Sequence, residues 1–204
     1  MTNITVIEEK SPSYFILENV KGLLSIDKGK TFEKIIKSLE DLNDYDIYWD
    51  LLNTKDYGTP QNRERVFIIG IKKSIQSSFK FPKKKKLKNL KLYIDKTDKT
   101  PRDCIPERVI YMKKNIPKDS IFIDLAFKNF SYPNSNLYAP CIARNGSLWC
   151  VPMNRYANTK ELLSLQGFPK NFKQVVSNSQ LKKQIGNSMS LCIIKEIFKN
   201  MFNL

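Results

Sequence analysis

A short apolar run that ends in a carboxylate constrains the fold of this chain more than any other feature. Residues Tyr14 to Leu17 are aromatic or aliphatic throughout, and Glu18-Asn19-Val20 follows them directly. An uninterrupted apolar run of this length is typical of a strand that is buried on both faces. The sequence therefore predicts a covered sheet, with an acid and an amide at the end of one strand.

The next segments alternate between helical and extended patterns. Thr31 is a suitable helix cap, and apolar residues at helical spacing follow it as far as Leu42. Two further strands are predicted at 47–52 and 65–71, and the second is almost continuously apolar. Strand, helix, strand, strand indicates the C-terminal part of a doubly wound α/β sheet, because three strands are too few for the whole fold.

The composition changes at Lys72, where a lysine-rich stretch begins and continues to about residue 99. Its longest run is Lys83–Lys86, and a run of like charge predicts a solvated, mobile segment. Short irregular strands are predicted beyond it, including 120–123 and a stretch from 141 to 149 with a hairpin turn at Asn145-Gly146.

Helical patterns return near the C-terminus of the sequence. One helix is predicted from Thr159 to a stop at Gly167, with Pro169 just beyond. A last helix is predicted from about Ser190 to Phe202. The chain therefore falls into three predicted segments, at 1–71, 72–150 and 151–204.

The charge balance indicates a polyanionic partner. There are 35 basic and 20 acidic residues, which gives a net charge of +15 and a pI near 9.6. Nucleic acid is the usual partner of such a chain, but a solubilising lysine surface explains the composition equally well.

Several chemistries are disfavoured by composition. Histidine is absent, and the four cysteines show no C-x-x-C spacing, so a metal site is not expected. No apolar stretch approaches the ~18 residues of a membrane span. We expect reduced thiols and a location in the cytoplasm, or wherever the DNA lies. The cysteines are Cys104, Cys141, Cys150 and Cys192.

Four short motifs occur in a fixed order: Glu18-Asn19-Val20, Pro60-Gln61-Asn62-Arg63-Glu64-Arg65, Leu165-Gln166-Gly167-Phe168-Pro169 and Gly186-Asn187-Ser188. Together they resemble the motifs of one family, the DNA cytosine-5 methyltransferases. The resemblance covers residues 11 to about 200. Too few residues precede Tyr14 to hold the family's glycine-rich cofactor loop and Pro-Cys nucleophile, so the chain resembles the C-terminal portion of such an enzyme.

The resemblance implies a fold and a division of labour. We expect part of an S-adenosylmethionine-dependent methyltransferase sheet at 1–71, a small, irregular, β-containing target-recognition region inserted at 72–150, and a return to the catalytic domain at 151–204. The implied reaction transfers a methyl group from S-adenosylmethionine to C5 of a cytosine flipped out of duplex DNA. The cofactor would be shared with the missing N-terminal part.

The resemblance also implies roles for individual residues. Glu18 matches the glutamate that protonates or hydrogen-bonds cytosine N3, a task that suits a carboxyl group shielded from water. Asn19 matches the residue that supports the nucleophile's loop. Arg65 would hold the base at O2 and Arg63 would brace the catalytic loop, with both side chains on one side of an extended segment. Gln61 is interpreted as a scaffold residue.

The later motifs imply cofactor contact and packing. Gly186-Asn187-Ser188 is expected to open the last helix, where Asn187 and Ser188 would meet the cofactor's carboxylate; without the resemblance this motif is a simple helix cap. The segment from Arg155 to Pro169 resembles the motif that packs the recognition region against the catalytic domain. It has Ala157-Asn158 where the family usually has Leu-Thr, although Asn caps helices equally well.

One dipeptide imitates the nucleophile. Pro140-Cys141 follows Glu18, whereas the family's Pro-Cys precedes it, so we assign Cys141 to the recognition region as a small buried residue. Tyr138, Arg144 and Trp149 are candidates for base contact by residue type alone, and a residue such as Trp149 is more often part of a core.

Several alternatives remain open at the level of sequence. The chain could be one subunit of a split enzyme with a complementing chain, or the product of a truncated or decayed gene. It could also be a non-catalytic DNA-binding module on the same scaffold, or a basic protein that binds RNA nonspecifically. Duplex DNA is the expected partner, and no membrane or metal partner is expected.

Overall fold

The computed structural model describes residues 3–98, 107–126, 135–144 and 148–204, and the chain divides into two compact units. The first unit contains Met1–Asn53, Glu64–Lys83 and Glu196–Leu204, and the second contains Thr54–Arg63 and Lys84–Lys195. The predicted segment 151–204 is thus divided between the units at Glu196. The predicted turn at Asn145-Gly146 and Cys104 lie outside the described residues.

The first unit is built on a three-stranded sheet. One helix precedes the first strand, and a second lies between the first and second strands. The strands have the order β1-β3-β2, and β3 is antiparallel to both neighbours, so β1 and β2 run parallel to each other. The elements are α1 (Asn3–Lys10), β1 (Tyr14–Val20), α2 (Lys30–Glu40), β2 (Tyr45–Asn53) and β3 (Glu64–Lys72). The three strands predicted from the apolar runs are confirmed, but the expected burial of β1 on both faces is not observed, because only Phe15 in this strand is buried.

The central strand forms the core of the first unit. Six consecutive residues of β3, from Val66 to Ile71, are buried, which explains why its sequence is almost continuously apolar. Gly70 lies opposite Phe15, and a Cβ at Gly70 would come within 2.1 Å of the Phe15 ring. The ring therefore occupies the space that a side chain would need. Apolar residues from both helices pack with Phe15, including Ile7, Phe32 and Leu39.

The start of α2 differs from the prediction. Thr31 does not cap this helix, because the helix begins at Lys30 after Gly29, which adopts a φ of 90°. The Thr31 hydroxyl instead donates a 2.6 Å hydrogen bond to the carboxylate of Asp27. The bond ties the first turn of the helix to the short 3-10 turn at Ile26–Gly29.

One side of β1 carries backbone groups that are not paired. The N–H of Lys72 donates to the carbonyl of Ser13, so alternate residues of β1 bond to β3, and the residues between them direct their N–H and C=O groups away from it. Ile16 and Glu18 belong to this second set, and no backbone partner for them occurs among the described residues. β1 is therefore an open edge of the sheet.

The second unit combines a small sheet with short helices. Its strands have the antiparallel order β4-β5-β6, and much of its core is formed by leucine and isoleucine. The elements are α3 (Glu107–Lys113), β4 (Phe122–Asp124), β5 (Leu148–Cys150), β6 (Arg155–Tyr156), α4 (Thr159–Leu165), α5 (Asn178–Asn187) and the beginning of α6 (Leu191–Phe202). The short strand β4 agrees with the strand predicted at 120–123, whereas residues 141–144 of the predicted stretch 141–149 form no strand, and β5 begins only at Leu148.

The α4 helix begins and ends as its sequence predicts. Asn158 is the N-cap, its side chain accepts from the N–H of Glu161, and the Glu161 side chain accepts from the N–H of Asn158. At the other end Gly167 adopts a φ of 88°, which suits a glycine helix stop. In the part of the chain that the structure describes, no helix has the length and apolarity needed to span a membrane.

Candidate functional site

Glu18 and Arg65 meet on one face of the first sheet. Glu18 lies opposite Phe67 in the β1–β3 register, which places Arg65 two residues along on the same face. The Arg65 Nε atom is 3.1 Å from Oε1 of Glu18, and both side chains are largely buried, with 16% and 17% of their surface exposed. The register of two strands therefore brings together a carboxylate and a guanidinium that are 47 residues apart in sequence.

The Glu18 carboxylate is held by charge but is not saturated with hydrogen bonds. Its Oε1 atom is buried and accepts no hydrogen bond of acceptable geometry from the described residues, although the Arg65 nitrogen is close. The Arg65 N–H is therefore not aimed at this oxygen, and Nη1 of Arg65 donates to the carbonyl of Glu64 at 2.7 Å instead. A buried oxygen in this state is available to share a proton in a hydrogen bond with a ligand.

Asn19 points to the opposite face of β1 from Glu18, because side chains alternate along a strand. Its Oδ1 atom accepts a 2.8 Å hydrogen bond from the N–H of Val20. This side chain is exposed at the end of the strand. Its contact with the family's nucleophile loop stays a prediction.

Arg63 is hydrogen-bonded to residues of the second unit. Nη1 donates to the carbonyl of Ile142 at 3.1 Å and contacts the Cys141 sulfur at 3.5 Å. Nη2 donates to the carbonyls of Gly186 and Ser188, at 3.2 and 2.9 Å. Arg63 immediately precedes β3, which begins at Glu64, and the expectation that its side chain lies on the same side of the segment as that of Arg65 stays a prediction. Arg63 thus joins the loop at Ile142 to the C-terminal end of α5, and its predicted role beside the catalytic loop stays a prediction.

Gln61 is the scaffold residue that the sequence predicts. It is fully buried, and its Nε2 atom donates to the carbonyl of Leu165 at 2.7 Å and to Oε1 of Gln166 at 2.8 Å. Its own Oε1 accepts from the N–H of Ile142. Gln166, whose role sequence reasoning missed, continues the network by donating to the carbonyl of Ser188. A polar residue in an otherwise apolar helix end was the available signal.

The motif Gly186-Asn187-Ser188 ends α5 and does not open the last helix. The expectation was wrong because Ser177 caps a separate helix that carries Leu181 and Ile185 on its buried face. The Ser188 hydroxyl donates to the carbonyl of Ile185 and accepts from Gln166, so it is used within the second unit.

Asn187 is exposed, and its side chain makes no hydrogen bond within the described ranges. An exposed amide suits a carboxylate ligand, so Asn187 fits cofactor contact better than the Ser188 hydroxyl does. Both assignments stay predictions.

The residues proposed for base contact differ in accessibility. Trp149 is fully buried in the core with Ile123 and Leu125, as expected of a tryptophan in a strand. Tyr138 is half-buried beneath the ammonium group of Lys55, which lies 4.6 Å from its ring centre. Arg144 is exposed.

Cys141 is half-buried, not the fully buried residue that we expected. No group of three or more potential metal ligands occurs among the residues that the structure describes.

A second arginine–carboxylate pair lies deep in the second unit. Each Glu161 oxygen accepts a hydrogen bond from Arg155, at 2.8 and 2.9 Å, and one from a backbone N–H, of Asn158 or of Asp95. Burial opposes the charge of Arg155, but the bonds and charge of Glu161 outweigh it and raise the pKa of the guanidinium. Burial, assisted by Glu161, also raises the pKa of the Cys150 thiol to about 12.

Asn158 forms hydrogen bonds that the threonine usual in the family could not form. Besides capping α4, its amide nitrogen donates to the carboxylates of Asp95 and Asp98, at 3.1 and 2.9 Å. A threonine hydroxyl has one proton to donate and could not bind both acids in this way. The departure from the family pattern therefore ties α4 to the segment 95–98.

Residues 1–203 match the model of the C-5 cytosine-specific DNA methylase family, and the chain belongs to that family. The predicted α/β methyltransferase fold is confirmed. Solved structures of similar fold include an Entamoeba histolytica methyltransferase, EhMeth, and the Dnmt2 methyltransferase of S. pombe. Each has a TM-score of 0.63 over 94% of this chain, with 19% and 15% identity and 63% and 67% of their own chains covered.

Curated relatives are bacterial type II methyltransferases. The Haemophilus aegyptius enzyme M.HaeII is 34% identical over 97% of this chain, and M.SsoII of Shigella sonnei is 32% identical over 97%. The matched regions are 63% and 55% of the lengths of these two relatives. This chain therefore spans somewhat more than half of the proteins that it matches.

Proposed function

We propose that this chain is part of a DNA cytosine-5 methyltransferase, which transfers a methyl group from S-adenosylmethionine to C5 of a flipped cytosine in duplex DNA. The chain would contribute the pocket for the base and part of the cofactor site. It would act where the DNA lies, in the cytoplasm of its cell. The nucleophilic cysteine and most of the cofactor site would come from residues beyond these 204.

The Glu18–Arg65 pair is the observation that carries this proposal. A cytosine ring presents an acceptor at N3 beside the carbonyl O2, and a carboxyl group next to a guanidinium is complementary to those two atoms. The open geometry at Oε1 of Glu18 leaves that oxygen available for a proton shared with N3. Arg65 would hold O2 while keeping the carboxylate in place.

Each group then has a defined task in the reaction. A thiolate supplied from outside this chain adds to C6 of the base, and Glu18 provides a proton or a strong hydrogen bond at N3, which makes C5 nucleophilic. The cofactor, when bound, supplies the electrophilic methyl group, and Asn187 would contact its carboxylate. Arg65 orients the base and stabilises charge that develops at O2.

The open edge of β1 is a suitable place for the missing parts to join, whether they belong to a complementing chain or to residues outside these 204. Ile16 and Glu18 direct backbone groups that have no partner among the described residues outward from an apolar strand, and such an edge favours the addition of another strand. Glu18 is itself on β1, so a strand added there would end close to the carboxylate.

Complementation tests the proposal. The purified chain is mixed with the N-terminal portion of the Haemophilus aegyptius relative that has no counterpart in this chain, together with tritiated S-adenosylmethionine and duplex DNA. We expect label in the DNA, and a loss of about 100-fold or more in rate with Glu18→Gln, since general acid catalysis contributes on this scale. Glu33→Gln, which removes an exposed carboxylate from α2, is the control and should retain the rate.

The separate parts provide the other controls. The 204-residue polypeptide alone should transfer no label, because none of its cysteines precedes Glu18 as the family's nucleophile does. Label transferred by this polypeptide alone, or equal rates for wild type and Glu18→Gln in the mixture, would contradict the proposed roles.

A non-catalytic DNA-binding module is the second candidate, and the net charge of +15 favours it. This candidate predicts salt-sensitive DNA binding that Glu18→Ala leaves unchanged, with no methyl transfer when the complementing portion is added. The methyltransferase proposal predicts instead that Glu18→Ala weakens binding to a duplex whose target cytosine is mispaired and easily extruded.

A further inference from the structure

We propose that the lysine strap, Lys84–Lys91, is a built contact surface for the phosphates of duplex DNA. The proposal rests on the proposed function for its choice of partner and adds to it the residues that hold the DNA backbone. The strap lies wholly in the second unit, and the residues that fix it belong to the same unit.

The strap is not the mobile segment that its charge predicts. Its backbone is bonded to the turn at Thr54–Gly58, where the N–H of Lys85 donates to the carbonyl of Asp56 at 2.7 Å, and the N–H of Lys88 donates to the carbonyl of Gly58 at 3.3 Å. Lys85 also forms a parallel bridge with Tyr57.

The far end of the strap is fixed in a different way. Leu90 is 1% exposed and belongs to the core of the second unit. Asn89 caps the 3-10 turn Leu90–Tyr93 by accepting a 2.9 Å hydrogen bond from the N–H of Lys91. The strap is therefore held at both ends, and its lysines project from an ordered backbone.

The charge on the strap is largely uncompensated. It contains five lysines and no acidic residue, and the Lys84 ammonium pairs with the Asp56 carboxylate at 2.9 Å. Lys86, Lys88 and Lys91 are exposed, and they form no ion pair with any residue that the structure describes.

An ordered row of like charges repels itself, and a regularly charged polyanion relieves that repulsion. Each ammonium group that neutralises a DNA phosphate releases counterions, so the number of such contacts can be measured from the salt dependence of DNA affinity. Because the lysines sit on a fixed backbone, little ordering of the chain opposes binding. The strap thus fits contacts that position a duplex without reading its sequence.

The test is the salt dependence of duplex DNA binding by the full chain. The variant Lys86→Gln/Lys88→Gln/Lys91→Gln is compared with Lys30→Gln/Lys34→Gln/Lys37→Gln, which removes the same charge from the exposed face of α2. If the strap lysines contact phosphates, the slope of log affinity against log salt falls by about 2 to 3 for the strap variant, at ~0.9 per contact. The α2 variant keeps a slope close to that of the wild type.

A charge-conserving variant separates contact from folding. Lys86→Arg/Lys88→Arg/Lys91→Arg should retain the wild-type slope, because arginine also binds phosphate. Equal slopes for the strap and α2 variants, or tighter binding of duplex RNA than of duplex DNA of equal length, would overturn the proposal. The binding slope does not require methyl transfer, so failure of the complementation assay would not be mistaken for failure of the strap.

Discussion

The two units each contain an arginine–carboxylate pair, and the pairs differ in how completely the carboxylate is bound. Glu161 in the second unit accepts four hydrogen bonds and is 0% exposed, with Arg155 beside it at 4%. The Glu18 carboxylate in the first unit lies 3.1 Å from Arg65, yet its buried Oε1 accepts no well-directed hydrogen bond from the residues that the structure describes. The carboxylate of one pair thus has its hydrogen-bonding capacity filled, whereas an oxygen of the other remains available to a ligand.

The difference shows what each pair can do. A buried pair whose donors and acceptors are all hydrogen-bonded fixes the position of the backbone that it binds. Here that backbone is the start of α4 and the segment 95–98. A carboxylate that is held but not saturated can exchange protons and hydrogen bonds with a ligand. The comparison therefore assigns a structural role to Arg155–Glu161 and supports a chemical role for Glu18–Arg65.

The largest effect should come from breaking the saturated pair. Glu161→Ala removes the only carboxylate that is hydrogen-bonded to the buried Arg155 guanidinium among the described residues and leaves Asp98, at 3.6 Å, as its nearest described counter-charge, so we expect a loss of about 3–5 kcal/mol in the free energy of unfolding. Urea denaturation measures it, with Lys160→Ala on the exposed side of α4 as the control. A loss below about 1 kcal/mol would show that the pair does not hold the second unit together.

The burial of the Cys150 thiol, close to Glu161, predicts that the free energy of unfolding depends on pH. The folded state raises the pKa of Cys150 to about 12 from 9.0, so above pH 9 the unfolded chain loses the thiol proton first. Stability from this group is complete below pH 9 and falls by about 1.4 kcal/mol per pH unit as the pH rises towards 12. The measurement compares urea midpoints of wild type and Cys150→Ala across this range. The urea midpoint of the wild type should fall more steeply with pH than that of Cys150→Ala. Parallel curves would contradict the raised pKa of Cys150 as a source of this pH dependence.

The sequence predicted local structure far better than it predicted the partners of polar side chains. The strands of the first sheet and both ends of α4 follow from apolar spacing and from cap residues at Asn158 and Gly167, which act within a few positions. The contacts of Arg63 do not follow, because the carbonyls of Gly186 and Ser188 lie 123 and 125 residues away.

Two predictions were wrong for identifiable physical reasons. The lysine strap was expected to be mobile because charge dominates its composition, whereas backbone hydrogen bonds to the 54–58 turn fix it. Gly186-Asn187-Ser188 was expected to open the last helix, although Ser177 with Leu181 and Ile185 at helical spacing was a readable signal for a separate helix before it.

The smallest effect on stability should come from the open pair, and it sharpens the comparison most. Glu18→Gln removes the charge from a carboxylate whose Oε1 accepts no well-directed hydrogen bond from the described residues, so we expect the free energy of unfolding to fall by less than about 3 kcal/mol, the lower end of the range for breaking a buried pair. Glu64→Gln, which breaks the exposed pair of Lys21 and Glu64, is the control and should change it by less than about 1 kcal/mol. Both are measured by urea denaturation at low and high salt.

A small effect of Glu18→Gln on stability, combined with a large loss of methyl transfer in the complemented enzyme, would separate the chemical role of Glu18 from a structural one. A loss above about 3 kcal/mol would place Glu18–Arg65 with the buried pair of the second unit, since that is the scale on which a buried charge loses its partner. The carboxylate would then be needed to hold β1 against β3, and a fall in methyl transfer could no longer be attributed to proton donation at the base.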